Sequence, residues 1–221
     1  MINKQVLNFL SDLSVNNNRE WFQENKNKYL QAKENFEVFI NLLIHEISKF
    51  DGQIKGLEAR NCTFRIYRDV RFSSNKSPYK TNMGAYISRG GRKSPFAGYY
   101  FHLQPGESFL AGGIYSPSSA ALKIIRNEIH DNLDEFEAIV ENSSFRETYT
   151  WFAGDKLKTT PRDFPKDAPG IEWLRYKNYT PFHALSDEEI SRADLLTEAI
   201  KIYRELYPLN EFFNRALLEH L

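Results

Sequence analysis

The sequence predicts an α+β fold, an antiparallel meander of about four or more strands packed against flanking helices. Three observations predict it. Apolar residues recur at helical steps up to about residue 52, alternate between about residues 63 and 114, and return to helical steps after residue 116. Strand patterns sit together between helical ones instead of alternating with them, which argues against a doubly wound parallel sheet. The 221 residues include 3 Trp, 12 Tyr and 17 Phe, enough apolar bulk for a substantial core. A single domain over residues 1–221 is therefore expected, with helices in 1–52, the sheet in 60–115 and a helical part in 116–221.

Val6, Phe9, Leu10 and Leu13 stand at helical spacing, and the run Asn16-Asn17-Asn18 offers an N-cap for a second helix. That helix is expected to be long, since Trp21, Phe22, Tyr29, Phe36, Phe39, Ile40, Leu43, Ile47 and Phe50 recur largely at three- and four-residue steps until Gly52. A strand is expected to follow, with Cys62 at its start as a small apolar residue. Phe64, Ile66, Val70 and Phe72 take one face, and Arg65, Tyr67, Asp69 and Arg71 the other. Arg68 interrupts the apolar face, either as a buried, paired arginine or as the mark of a bulge. Further strands are expected at Met83–Ser88, Gly98–Gln104 and Ser108–Ile114, separated by the turn-rich stretches RGGRKSPFA and PGE.

Ser116 and Pro117 open the next helix as cap and first turn, and Asn132 with Glu135 forms a capping pair for another. Gly154 to Pro169 has three prolines and no periodicity, which reads as an ordered surface loop or lid. Ser186 with Glu189 caps a helix to about Tyr207, and Pro208 separates a short terminal helix.

No apolar run approaches the about 18 to 20 residues that cross a bilayer, and the first residues lack the apolar stretch of a signal peptide, so a soluble, cytoplasmic protein without a membrane partner is expected. Cys62 is the only cysteine, which excludes an internal disulfide and a cysteine-based zinc cluster. His45, His130, His183 and His220 lack ligand spacing with one another, and no metal site is expected. Neither phosphate-loop nor dinucleotide-binding glycine motifs occur, nor does Gly-x-Ser-x-Gly; no cofactor is expected.

Charge is distributed unevenly. The chain holds 29 basic and 29 acidic residues, yet Arg60 to Lys93 contains nine Lys or Arg and one acid, Asp69, leaving 20 basic and 28 acidic residues elsewhere. Within RIYRDVRFSSNKSPYK, the expected strand arrays Arg65, Tyr67, Asp69 and Arg71 in a row about 20 Å long. Asp69 among guanidiniums should stay ionised and orient them. The row is either a site for a phosphate or carboxylate, or a structural ion-pair ladder. Lys76, Tyr79 and Lys80 leave the following turn as mobile donors, and two more lysines without acids favour the site.

AGGIYSPSS offers close backbone approach at Gly112 and Gly113 and a helix N-terminus with three serines, which equally describes an ordinary cap. His102 shares a strand face with Tyr100 and Gln104, either as a general base or as a satisfied structural histidine. Asp69 and His102 are thus the catalytic candidates.

The run Arg65-x-Tyr67-Arg68-Asp69-x-Arg71-Phe72, then Lys76-x-Pro78-Tyr79-Lys80, then Gly113-x-Tyr115-x-Pro117 with Leu122 and Arg126, resembles the family called domain of unknown function 2461. The resemblance extends to NNNREWF and to the proline-rich loop before Trp173. It implies a single domain and supplies no catalytic role. On this motif Tyr115 and Arg68 join Arg65, Tyr67, Asp69, Arg71, Lys76, Tyr79 and Lys80 as ligand-binding candidates.

Three functions compete. The first is a binding protein or enzyme for a small anionic ligand, with Arg65, Arg71, Lys76 and Lys80 neutralising it and Tyr67 and Tyr79 orienting it. The second is a nucleic-acid module, favoured by aromatics within the basic block and opposed by the neutral total charge. The third is an interaction domain docking on an acidic partner, including a second copy of the chain.

Overall fold

The structure is a computed structural model that describes residues 2–151 and 156–220. Its chain begins with helix α1 (Lys4–Val15), capped by the Asn3 side chain on the Gln5 amide. Helices α2 (Arg19–Glu24) and α3 (Lys26–Ile47) follow where one long helix was expected. Asn18 caps α2 through the Trp21 amide, and Asn25, whose side chain donates back to the Trp21 carbonyl, parts the two helices. A 3-10 turn (Gly52–Ile54) and the short helix α4 (Ala59–Cys62) lead to the sheet. Cys62 therefore ends a helix instead of starting a strand; it is buried, and burial raises its thiol pKa to about 11.

Strands β1 (Met83–Ser88), β2 (Gly98–Leu103) and β3 (Ser108–Gly113) form an antiparallel meander within a residue of the expected bounds. Helices α5 (Ser119–Asp131), α6 (Leu133–Val140) and α7 (Ser143–Thr148) come next, then β4 (Thr150–Trp151), α8 (Ile171–Leu174) and β5 (Pro181–Leu185). The sheet order is β1-β2-β3-β5-β4, all antiparallel. Two short strands thus arise from a stretch expected to be helical or loop.

The cap of α5 is Ser118, whose hydroxyl accepts from the Ala121 amide; Ser116 instead takes a positive φ of 49°. Asn132 precedes α6 without a side-chain cap bond. Ser186 and Glu189 do form a reciprocal capping box, but on the short helix α9 (Asp187–Ser191). Helix α10 (Leu195–His220) then runs through Pro208, contrary to the expected break. Leu206, Leu209, Phe212 and Phe213 bury on both sides of that proline, and their packing outweighs the backbone bond it removes. Of the expected loop at 154–169, residues 154 and 155 lie outside the described residues. The rest is strapped to Arg175, through the Leu157 amide to its carbonyl and its guanidinium to the Leu157 and Lys158 carbonyls.

Strand register divides the sheet residues between two faces. Ala85, Ile87, Tyr99, Phe101, Leu103 and Leu110 share one, where α3 and α10 pack; Phe101 stacks against Phe36 and meets Phe39 at a tilt, and Tyr99 meets Tyr203 edge-on. Asn210 of α10 accepts from the Gly113 amide and donates to the Gly98 carbonyl, while Asn214 does the same for the amide and carbonyl of Ala97. Two buried asparagines one turn apart thereby grip the end of the β2–β3 pair. No helix among the described residues is long and apolar enough to cross a membrane.

Candidate functional site

The basic segment contains no regular strand, which corrects the expected strand from Thr63 to Phe72. Thr63 bridges Ala85, and the Phe64 amide donates to the Gly84 carbonyl, so the segment begins along the outer edge of β1. Tyr67 then bridges Tyr79, with Arg68 N–H bonded to the Pro78 carbonyl and Lys80 N–H to the Ile66 carbonyl. Between these points the chain loops out. The Asp69 carboxylate accepts from the Arg71 backbone, and Asn75 accepts from the Ser77 amide, local turns that compete with ladder pairing. Phe72, expected on the apolar face, is 96% exposed as a result.

This path disperses the expected row. Asp69 and Arg71 form an exposed bidentate pair at 2.7 and 3.0 Å, and the Arg71 guanidinium holds the Asp69 carboxyl below the usual range. Arg68 is half-buried and donates to the Ser77 carbonyl and the Ser73 hydroxyl, so it folds the loop. Lys76 donates to the Val70 carbonyl. Tyr79, expected to be a mobile donor, is buried and stacks on Phe22 at 3.9 Å. Its backbone is pinned in both directions by Asn17, from the asparagine run before α2. Tyr67, 48% exposed, leans edge-on to Phe22 beside Tyr79.

Arg65 and Lys80 remain uncommitted. Arg65 lines a cleft of about 280 Å³ together with Lys33 and Glu37 of α3, Arg60, Thr63 and Arg92. Its cationic neighbours there are engaged: Arg60 pairs with Glu58 at 2.8 Å, Lys33 with Glu37 at 3.5 Å, and Arg92 donates to the carbonyls of Arg60 and Asn61. Among the described residues no carboxylate pairs with Arg65 or Lys80. Lys80 is half-buried, its ammonium 5.4 Å from the Phe64 ring centroid. Burial first, and the Arg65 charge second, hold its pKa below the usual lysine range.

Lys80 also connects the segment to the second face of the sheet. His102 there is bonded on both nitrogens, Nδ1 to the Tyr100 hydroxyl at 2.9 Å and Nε2, at 3.2 Å from both, either accepting from the Asn82 amide nitrogen or donating to the Gln104 amide oxygen, and it stacks on Phe109. Burial lowers its pKa, against the opposing pull of Gln104 and Glu107, and the Lys80 charge adds a smaller push downward. Tyr100 is pushed up to about 12 by burial and by Tyr115. Tyr115 itself is 74% exposed.

The Arg65 charge acts on Lys80 and on Asp69, the Lys80 charge on His102, and Tyr115 on Tyr100, while Asp69, Arg71 and Lys76 hold the outer loop. Phe64 lies against Lys80 and Tyr100, and Asn82 and Tyr100 against His102. The alternating pattern puts Phe64 on the apolar face of the expected strand and gives no signal at Asn82, while Tyr100 and Gln104 share the His102 face in the sequence. Gly112 and Gly113 serve packing: a side chain on Gly112 would collide with Leu206, and Gly113 has φ 77° with the Tyr179 carbonyl against it.

Comparison with curated proteins and with solved structures finds no match. A family model does match, over residues 5–212, and that span includes the basic segment, the sheet and most of α10. The chain belongs to the family described as Conserved hypothetical protein (DUF2461).

Proposed function

We propose that the protein binds a small anionic ligand, bearing a phosphate or carboxylate, at Arg65 and Lys80. The observation that carries this reading is the half-buried Lys80 with Arg65 as a like-charged neighbour and, among the described residues, no carboxylate in an ion pair with either. A partly desolvated cation without a counter-charge is unfavourable, and an arriving anion relieves both the desolvation and the repulsion. The two side chains suit such a ligand differently: lysine supplies a compact charge and arginine a planar fork. Binding is favoured over turnover because the groups able to move protons are engaged, Asp69 by Arg71 and His102 at both ring nitrogens.

Titration calorimetry with inorganic phosphate, pyrophosphate and a dicarboxylate tests it. Lys80→Ala and Arg65→Ala should each weaken binding about tenfold or more without loss of fold, the scale expected of charge-assisted bonds. Because the anion restores the Lys80 proton, binding should take up protons as pH approaches the lowered pKa of that lysine, seen as a buffer-dependent heat. Undiminished binding in the double variant would remove the site.

A nucleic-acid interface is the second reading, favoured by one observation: the exposed aromatics Phe64, Tyr67 and Phe72 all lie within the basic block from Arg60 to Lys93. Oligonucleotide binding that strengthens at low salt and is lost on Phe72→Ala would favour it; salt-independent absence of binding would end it.

A further inference from the structure

Beside Lys80 the second face of the sheet carries a built aromatic platform. Phe64 meets Tyr100 edge-on at 6.4 Å, and Tyr100 continues to His102 and Phe109, both at 5.8 Å. The strand between Phe64 and Tyr100 contributes no side chain at this point. Gly84 pairs with His102 across the sheet, its carbonyl holds the Phe64 amide, and a Cβ there would stand only 2.6 Å from the Tyr100 hydroxyl. Glycine therefore lets the two rings meet across β1. Phe64 stays 41% exposed, as apolar surface beside an unpaired cation.

We propose that the ligand of this site joins a planar aromatic ring to its anionic group, the ring stacking on Phe64 and the anion engaging Lys80 and Arg65, as a nucleoside monophosphate would. This deepens the anion-binding reading and rests on it. Two features select such a ligand. The Lys80 ammonium lies over the Phe64 ring, 5.4 Å from its centroid, so the charge and the ring are immediate neighbours. Phe64 is 41% exposed, and the part of the ring that Lys80 and Tyr100 leave open offers contact to a ligand ring, where an aliphatic acid would leave it wet. Either a free nucleotide or the 5′-phosphorylated end of a strand supplies this chemistry.

The experiment compares affinities of the full chain for inorganic phosphate, adenosine 5′-monophosphate, adenosine, and a short oligonucleotide with a 5′-phosphate. Adenosine 5′-monophosphate should bind about tenfold or more tighter than phosphate, the scale of ring stacking. Phe64→Leu, which keeps apolar bulk, should abolish that advantage and leave phosphate binding intact; Lys80→Ala should weaken both. Unchanged thermal midpoints would show that the variants fold. Equal affinity for phosphate and the nucleotide, or an advantage that survives Phe64→Leu, overturns the ring and leaves the anion site standing. No binding by any of the anions overturns both. Tighter binding of the phosphorylated oligonucleotide, lost on Lys80→Ala, identifies a strand end as the source; equal affinity identifies the free nucleotide. Oligonucleotide binding that ignores both substitutions counts against the proposal.

Discussion

The two faces of the sheet are built from the same strands and differ in what satisfies them. On one, Tyr99, Phe101 and Leu103 are fully buried against α3 and α10, and the polar groups that enter this layer, Asn210, Asn214 and Asp51, each hold hydrogen-bond partners. On the other, the intervening residues Tyr100 and His102 are half-buried and satisfy one another, with Lys80 alongside and unpaired. The first face derives its stability from apolar burial, which is non-directional. The second is arranged by directional bonds and retains an uncompensated charge, the property a binding surface needs and a core does not tolerate.

Phe101→Ala should break the first face most severely, removing a ring that touches both Phe36 and Phe39; a loss of about 3–5 kcal/mol in denaturant unfolding is expected. Asn210→Ala comes next. It strands the Gly113 amide and the Gly98 carbonyl in a dry layer, at about 1–3 kcal/mol. A loss no larger than that of an exposed asparagine would show that water replaces it.

Asp51 sharpens the contrast through pH. Its carboxyl accepts from the Tyr99 hydroxyl and the Gln53 amide, yet burial dominates and raises its pKa. The folded state then holds this proton more tightly than the unfolded chain, so its contribution to stability is present at low pH and declines as pH rises from the ordinary aspartate range through the raised value. Unfolding midpoints between about pH 4 and 7 should therefore fall less steeply in Asp51→Asn than in the parent. An identical slope would place the titration elsewhere.

Lys80→Met tests the second face. Removing a half-buried, unpaired ammonium while keeping its apolar stem should leave stability equal or slightly higher, within about 0.5 kcal/mol after solvent screening. A clear loss would mean that Lys80 is structural and would weaken the anion-binding reading. Asp69→Asn should change the thermal midpoint least, since the pair it breaks with Arg71 is exposed to solvent.

Legibility followed the source of order along the chain. Strand β1 was read to the residue and β2 and β3 to within one, because alternating apolar residues bounded by Gly, Pro and Ser turns specify strands locally. The Asn18 and Ser186–Glu189 caps were legible for the same reason. Errors arose where a distant partner decided. Packing carried α10 through Pro208; β5 became a strand by pairing with β3; Asn17 fixed Tyr79 from 62 residues away. At the candidate site the residue types were visible and their roles were not: the expected arginine row assumed one regular strand, and side-chain bonds from Arg68, Asp69 and Asn75 folded it into a loop.

The sequence by itself thus determined the fold class, the central meander, several helix caps and the concentration of positive charge in one segment, all properties of periodicity and composition. Only the tertiary structure decided which of those charges are neutralised. That depends on where each carboxylate or carbonyl arrives: Arg71 found Asp69 two residues away and Arg92 found carbonyls more than thirty residues away, while among the described residues no acid forms an ion pair with Arg65 or Lys80. Coulomb and hydrogen-bond energies act at a few ångströms, and only the folded chain sets distances on that scale.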